Sequence, residues 1–425
     1  LAQVAPLHGQ SLPLAAAVDS ALATHPALAR ADAYEASAAE AAPTTRGRRW
    51  PRLPRPSALT RFQEPMLATP IHAFDPNLLP EFDETLWQRQ LMARYTLLDW
   101  GARGGTEQAA DAAVGAAEAG TRATAAEVIE RVATAHLGVI SARAVDAAAE
   151  ARIAALREEV DRSERGLAEG TVAEVEVLRA SVVLQDAEAT RTTTAGAVLL
   201  AERTLARLIG STAERIAAAD LGDVGALRLD TTVPPAAPPN PTLDQAARRL
   251  DAARARSAAE RAPRWPRVDV GAGVNQFGTL DLAPIFEWQA GISLSWELFS
   301  GGARAAGIRR AEADVRTAES ELEAVELEVE TVTDAARTSI ESADARVDAL
   351  TASVGQWEEL VRIERLALEA GAGTQRDLLD AEAGLFQARA GLVDATAEAF
   401  LARVRLAAAE GRLDRNWISQ RSGGS

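Results

Sequence analysis

The chain of 425 residues contains no cysteine and no lysine. Without cysteine it has no disulfide, no thiolate metal ligand, no thiol nucleophile and no lipidated cysteine of its own. Only four histidines are present, His8, His25, His72 and His136, and their scatter matches no metal-ligand spacing; each reads as a surface or packing residue. No glycine-rich phosphate loop follows a strand, and no nucleophile elbow or acid–base constellation stands out. Neither an enzyme nor a cofactor is expected. The net charge of −16 argues against nucleic acid as a partner. No run approaches the roughly 18 apolar residues of a membrane-spanning helix. No signal peptide is visible, so a cytosolic chain or the mature form of an exported one is expected.

Aromatic residues make up only 4% of the chain, and much of its 47% hydrophobic content is alanine. Such a composition builds thin, closely packed helices rather than one thick core. The rings are also unevenly spread: 13 of the 18 fall in residues 50–100 and 265–299. Within the second window, FEWQAGISLSWELFSGG (286–302) places Phe286, Trp288, Ala290, Ile292, Leu294, Trp296 and Leu298 at every second position. Glu287, Gln289, Ser293, Ser295 and Glu297 lie between them. Period two denotes a strand with one apolar and one polar face. VDVGAGVNQFG (268–278) alternates in the same way, and a turn is expected around 279–285. In the first window, 86–100 alternates Trp87, Leu91, Ala93, Tyr95 and Leu97 against polar residues, with Arg89 breaking the apolar face. Pro51, Pro54 and Pro56 confine the opening strand to roughly 57–63.

The two halves repeat. Trp50-Pro51-Arg52 recurs as Trp265-Pro266-Arg267, and residues 101–210 align with 302–411 without a gap at an offset of 201. Each unit reads as helix, strand hairpin, long helix, tip and returning helix. The second long helix, free of proline from Gly302 to Ala370, has an apolar seam with steps averaging about 3.5, as in a coiled coil. The seam runs from Ile308 through Val329, Val332, Ala336 and Ile340 to Val361, with a stutter at 332–340.

Alternation alone fits either hairpins covering a soluble core or strands of a membrane barrel. Phe286 to Leu298 climbs about 30 Å at a tilt of about 40°, and Trp288 and Trp296 would lie about 20 Å apart in depth. Four strands cannot close a useful barrel, and open edges in lipid leave backbone groups unpaired. Three chains would supply twelve strands.

In this order and register, LSWELFSGGAR (294–304), EGTVAEVEVLRA (169–180) and AGAGTQRDLLDAEAGL (370–385) resemble the TolC-like outer-membrane efflux proteins. The resemblance covers nearly the whole chain, from ALATHPALARADA (21–33) to Gly411. It implies a mainly α fold with a membrane β-barrel: two structural repeats of long coiled-coil helical hairpins plus β-hairpins. A trimer would form a 12-stranded β-barrel on an α-helical barrel. The expected segments are an N-terminal segment and first helix (1–49), first barrel hairpin (50–100), first long hairpin (101–212) and proline-rich linker (213–241). They continue as a second first helix (242–264), second barrel hairpin (265–300), second long hairpin (301–411) and tail (412–425).

The resemblance further implies passive export from the outer membrane of a Gram-negative bacterium, through the periplasm, with a periplasmic adaptor and an inner-membrane pump of RND or ABC type as partners. By motif, the periplasmic aperture falls on Asp377 and Asp380, with Glu176 at the corresponding place in the first repeat. The family's usual partners for that acid, a tyrosine and an arginine, are here Leu368 and Gly373. Adaptor docking falls on the tips Gly170-Thr171 and Gly371-Ala372, which also read as plain glycine helix stops. Glu287, Gln289, Ser293, Ser295 and Glu297 would line the barrel lumen. Trp87, Tyr95, Phe286, Trp288 and Trp296 would meet outer-membrane lipid, with Trp50 and Trp265 as interface anchors. The connections 64–85 and 279–285 would face outward. RGRRWPRLPR (46–55) fits either lipid phosphates or plain solvent. A type I protein-secretion duct and a soluble coiled-coil scaffold are the alternatives.

Overall fold

The computed structural model describes residues 11–68, 82–222, 239–280 and 285–421. Residues 223–238, which hold most of the proline-rich linker, lie outside the described residues, as do the connections 69–81 and 281–284, His8 and His72. The described elements are α1 (Leu14–Thr24), α2 (Pro26–Arg46), β1 (Ser57–Leu67), β2 (Phe82–Leu98), α3 (Ala102–Ala168), α4 (Glu174–Leu208), α5 (Ala213–Ala218), α6 (Pro241–Arg261), β3 (Arg267–Thr279), β4 (Ile285–Ser295), α7 (Ala303–Glu369), α8 (Gln375–Ala409) and α9 (Arg415–Arg421). The first helix is thus split in two at His25, because Pro26 forces the preceding residue into an extended conformation. His25 then accepts the Ala27 amide on Nδ1 at 3.2 Å.

α3 and α7 each run 67 residues, and α4 and α8 each run 35. Alanine-rich, proline-free sequence permits this length. Along α7 the expected seam is turned inward, with Ile308, Ala311, Ala318, Ala336, Ala343 and Val361 buried. One position differs. Val332 is 44% exposed, and Thr333 is half-buried in its stead. The inward positions then run 325, 329, 333, 336, 340, so the two successive steps of four remain and the stutter falls at 325–333, about one turn before the expected place.

The helices α3 and α7 stop in the same way. Gly170 donates to the Leu167 carbonyl at 3.0 Å and Thr171 to Gly166 at 2.8 Å; Gly371 donates to Leu368 at 3.1 Å and Ala372 to Ala367 at 2.9 Å. This is the Schellman pattern, and it needs the left-handed backbone found at Gly170 (φ 74°) and Gly371 (φ 72°).

The chain divides into two compact units. One comprises Ala33–Glu118 and Asp244–Ala324 and carries the sheet. All four strands form a single antiparallel sheet in the order β1-β2-β3-β4. β1 extends to Leu67, beyond the expected 63, with its pairing irregular between Arg61 and Met66. Pro65 falls in that irregular stretch of an edge strand, where its missing amide hydrogen is tolerated. β4 ends at Ser295, short of Leu298 where the alternation ends, so Trp296 and Glu297 lie beyond the ladder. Its partner β3 begins at Arg267, opposite Ser295, and the residue before it is Pro266, which has no amide hydrogen to continue the pairing. The freed segment is bound otherwise: Trp296 Nε1 donates to the Arg264 carbonyl at 3.2 Å, and Arg304 reaches the Glu297 carboxylate at 3.0 Å. At the end of β2 the pairing shifts between Thr96 and Leu98, so Leu98 rather than Leu97 opposes Val268. Trp100 follows in a left-handed conformation (φ 54°), held by Nε1 donating to the Pro266 carbonyl at 2.8 Å and by its ring 5.5 Å from Trp265.

The other unit comprises Leu1–Asp32, Ala119–Leu243 and Val325–Ser425. Its main core gathers Leu14 and Val18 of α1, Ile129, Val132 and Leu137 of α3, Leu205 of α4, Phe400 and Val404 of α8, and Ile418 of α9. His136 is buried within this unit, 2% exposed. Its Nε2 contacts the Leu12 carbonyl at 3.0 Å while its Nδ1 has no hydrogen-bond partner. Burial pushes its pKa down, against the Leu12 contact, with nearby Arg143 adding to the shift. The folded protein therefore resists protonating a ring that the unfolded chain protonates freely. Stability should fall as pH drops below about 6.5, the ordinary imidazole value. Urea unfolding at pH 7.5 and 5.5 should show that loss in the wild type and a smaller one in H136Q; equal losses would refute the assignment.

Candidate functional site

The strand register collects the alternating residues of all four strands onto two faces. On one face Tyr95 opposes Val270 and Val270 opposes Ile292; Leu91, Val274 and Trp288 form the next such row but one; Trp87 opposes Leu59. Phe286 and Leu294 share this face. It is open: Trp288 is 81% exposed and Ile292 74%. Trp87 is more covered than Trp288 and Ile292, its Nε1 bonded to the Thr279 carbonyl at 2.9 Å and its ring against Gly278, where an added Cβ would come within 2.5 Å of it.

The opposite face is polar. Glu287 opposes Asn275, Gln289 opposes Gly273, Ser293 opposes Asp269 and Ser295 opposes Arg267. Asp269 accepts from Thr96 at 2.7 Å and from Arg267 at 2.8 Å. Glu297, expected with this group, lies past the strand and pairs with Arg304 instead.

In the other unit, the tip residues Gly170, Thr171, Gly371 and Ala372 are exposed. Asp377 and Asp380 are exposed on the first turns of α8, while Leu378 and Leu379 between them are buried. Asp377 belongs to a reciprocal cap: the Thr374 hydroxyl receives the Asp377 amide at 3.2 Å and lies 2.6 Å from its carboxylate. Asp380 has Arg376 3.7 Å away, both largely in solvent, a pair worth little. Glu176 pairs with Arg179 of its own helix at 2.7 Å.

A buried polar cluster that the sequence reading missed lies just beside these residues. Gln375 Nε2 donates to Ser163 Oγ at 2.7 Å, linking α8 to α3 across 212 residues. Ser163 donates in turn to the Glu159 carbonyl. Glu159 is 5% exposed; its carboxylate pairs with Arg162 at 2.9 Å. Glu382 of α8, nearly buried, pairs with Arg365 of α7 at 2.9 Å. Burial pushes the Glu159 carboxyl up; Arg162 draws it back, Glu382 raises it, and Arg365 and Gln375 lower it. Only the burial of polar positions on helix faces could have signalled this cluster, and a sequence does not record burial. Among the described residues no group of histidine, aspartate and glutamate is placed to hold a metal ion, and no helix is long and apolar enough to cross a membrane.

A family model described as outer membrane efflux protein matches residues 17–211 and 235–412. No curated protein matches the sequence. Among solved structures, the chain is similar to the outer membrane protein VceC of Vibrio cholerae at 21% identity and a TM-score of 0.79, over 94% of this chain and 96% of that one. The CmeC outer membrane channel of Campylobacter jejuni is 15% identical with a TM-score of 0.79, covering 96% and 89%. The MtrE outer membrane channel of Neisseria gonorrhoeae, solved in its open state, is 19% identical with a TM-score of 0.75, covering 95% and 90%.

The raised pKa of Glu159 means that the folded chain holds this proton more readily than the unfolded chain. Its charged form is therefore a cost at neutral pH that disappears on acidification. E159Q should raise the unfolding midpoint at pH 7.5, and the gain should shrink towards pH 4.5. A gain of equal size at both pH values would contradict this account.

Proposed function

Because this chain belongs to the outer membrane efflux protein family, a family of transport channels and not of enzymes, we propose that it is the outer-membrane exit duct of a tripartite efflux system in a Gram-negative bacterium. The observation that carries this reading is the sheet face on which Trp288, Ile292, Leu294, Phe286, Leu91 and Val274 are all exposed. In water such a surface is a liability; against acyl chains it is the expected exterior of a barrel.

Lipid leaves no backbone group unpaired without a cost of several kcal/mol. β1 and β4, the two edges, therefore need neighbours, and a homotrimer supplies them by joining three sheets into twelve strands. The polar face then lines a wet lumen with Glu287, Gln289, Ser293 and Ser295, and Glu297 stands at its helical end. The helical hairpins continue the duct through the periplasm. A periplasmic adaptor docks at Gly170, Thr171, Gly371 and Ala372, and an inner-membrane pump of RND or ABC type supplies the energy. Conduction itself is passive: the tube excludes lipid and offers a hydrated path.

Asp377 and Asp380, with Glu176 on the first hairpin, form the inner aperture. Three copies bring six aspartates together, a density that attracts cations. Arg376 offsets this only weakly from an exposed position.

Fractionation tests the setting. The chain should pellet with membranes and elute as a trimer in detergent; recovery in the soluble fraction as a monomer would remove the reading. Planar-bilayer recordings test the aperture. The wild type should prefer cations, and D377A/D380A should raise conductance, on the order of two-fold, while lowering that preference. An anion-preferring wild type would contradict the aperture assignment.

A further inference from the structure

The exposed face of the sheet is not uniformly apolar. The segment before β1 continues its ladder along β2: Arg52 pairs with Arg94, and the Met92 and Gln90 amides donate to the Pro54 and Pro56 carbonyls at 3.3 and 3.0 Å. Alternation along this ladder places Leu53, Arg55, Ser57 and Leu59 on the apolar face. Arg89 lies on the same face, directly opposite Ser57 on one side and Gln276 on the other. Arg55 stands diagonally next to Arg89, at a spacing where long side chains meet. Every polar residue in this patch is a hydrogen-bond donor, and no acidic residue occupies an adjacent register position.

The setting makes this unusual. The chain has 61 acids against 45 arginines. In this same unit Arg46, Arg49, Arg103, Arg254, Arg261 and Arg304 all pair with carboxylates. Arg55 and Arg89, both exposed, have no carboxylate partner among the described residues. Arg89 is nevertheless positioned: its guanidinium lies 4.9 Å from the Trp87 ring centre, and that ring is fixed by the Thr279 bond and by Gly278 beneath it. Two arginines at neighbouring register positions on an oily surface supply the positive charge and the N–H donors that a phosphate group takes.

We propose that Arg55 and Arg89, assisted by Ser57 and Gln276, bind the phosphate headgroup of an anionic membrane lipid. The inference rests on the reading that this face meets the bilayer. Leu59, Leu91 and Trp87 around the patch would receive the lipid's chain, so the ligand is an amphiphile and not a free anion.

The test is native mass spectrometry of the full chain in detergent, titrated with phosphatidylglycerol and, separately, phosphatidylcholine. The wild type should retain the anionic lipid at least about five-fold better, R55Q/R89Q should retain the two about equally, and R55K/R89K should keep most of the preference. A wild-type ratio near one, or a preference untouched in R55Q/R89Q, would overturn the proposal. So would displacement of the lipid by a few millimolar inorganic phosphate, which would mark a free-anion site. Flotation with phosphatidylcholine vesicles separates the two claims. If wild type and R55Q/R89Q both float but lack headgroup preference, only the lipid site fails; if neither floats, the membrane reading fails with it.

Discussion

The pairing of β2 with β3 fixes what every other part of the sheet can do. These two strands share the longest run of paired residues in the sheet, from Leu86 with Thr279 to Leu98 with Val268. They also join the two hairpins, which lie far apart in sequence. Side chains alternate with period two, so a slip of one residue would turn Val268, Val270, Ala272 and Val274 to the polar face and bring Asp269 and Asn275 to the apolar one. The apolar face and the polar face of the sheet both follow from this one register, and the pairing itself leaves β1 and β4 as the two edges. Local glycines at 271 and 273 remove side chains from the polar side and leave the apolar side to set the match.

Much of this was legible in the chain because it depends on local periodicity. The alternation from Phe286 to Leu294, the seam of α7 and the glycine stops at 170 and 371 are short-range signals. What was misread depends on pairing partners distant in sequence or on helix rotation that hydropathy does not record. β4 stops at Ser295 because Pro266, on the facing strand, cannot extend the ladder. Val332 looks like a seam residue by hydropathy, yet accumulated helix rotation delivers Thr333 to the inside. Arg89 was recognised as a break in the apolar face, but its neighbours Ser57, Gln276 and Arg55 are assembled only by pairing.

The candidate aperture shows the same division. Asp377 and Asp380 stand out by motif, and both are exposed on α8. The cluster of Glu159, Ser163, Gln375 and Glu382 beside them was invisible, since nothing in the sequence brings residue 163 to residue 375. Buried polar links of this kind contribute little net stability but penalise alternative arrangements strongly. They therefore set how α8 sits against α3 more than how firmly the hairpins hold together.

The two hairpin tips share one way of ending a helix but differ in how the next one begins. The Thr374 hydroxyl caps the Asp377 amide at the start of α8 and also meets the Asp377 carboxylate, whereas Ala173 brings no side chain to the start of α4. The return leg of the first hairpin closes its first turn by backbone alone, the Glu176 amide donating to the Ala173 carbonyl at 3.0 Å, and without a side-chain cap it frays more readily. The two halves of the chain, equal in the lengths of their long helices, are consequently unequal in local rigidity. The second half offers a stiff, pre-shaped knuckle, and the first offers a looser one that can remodel when something grips it.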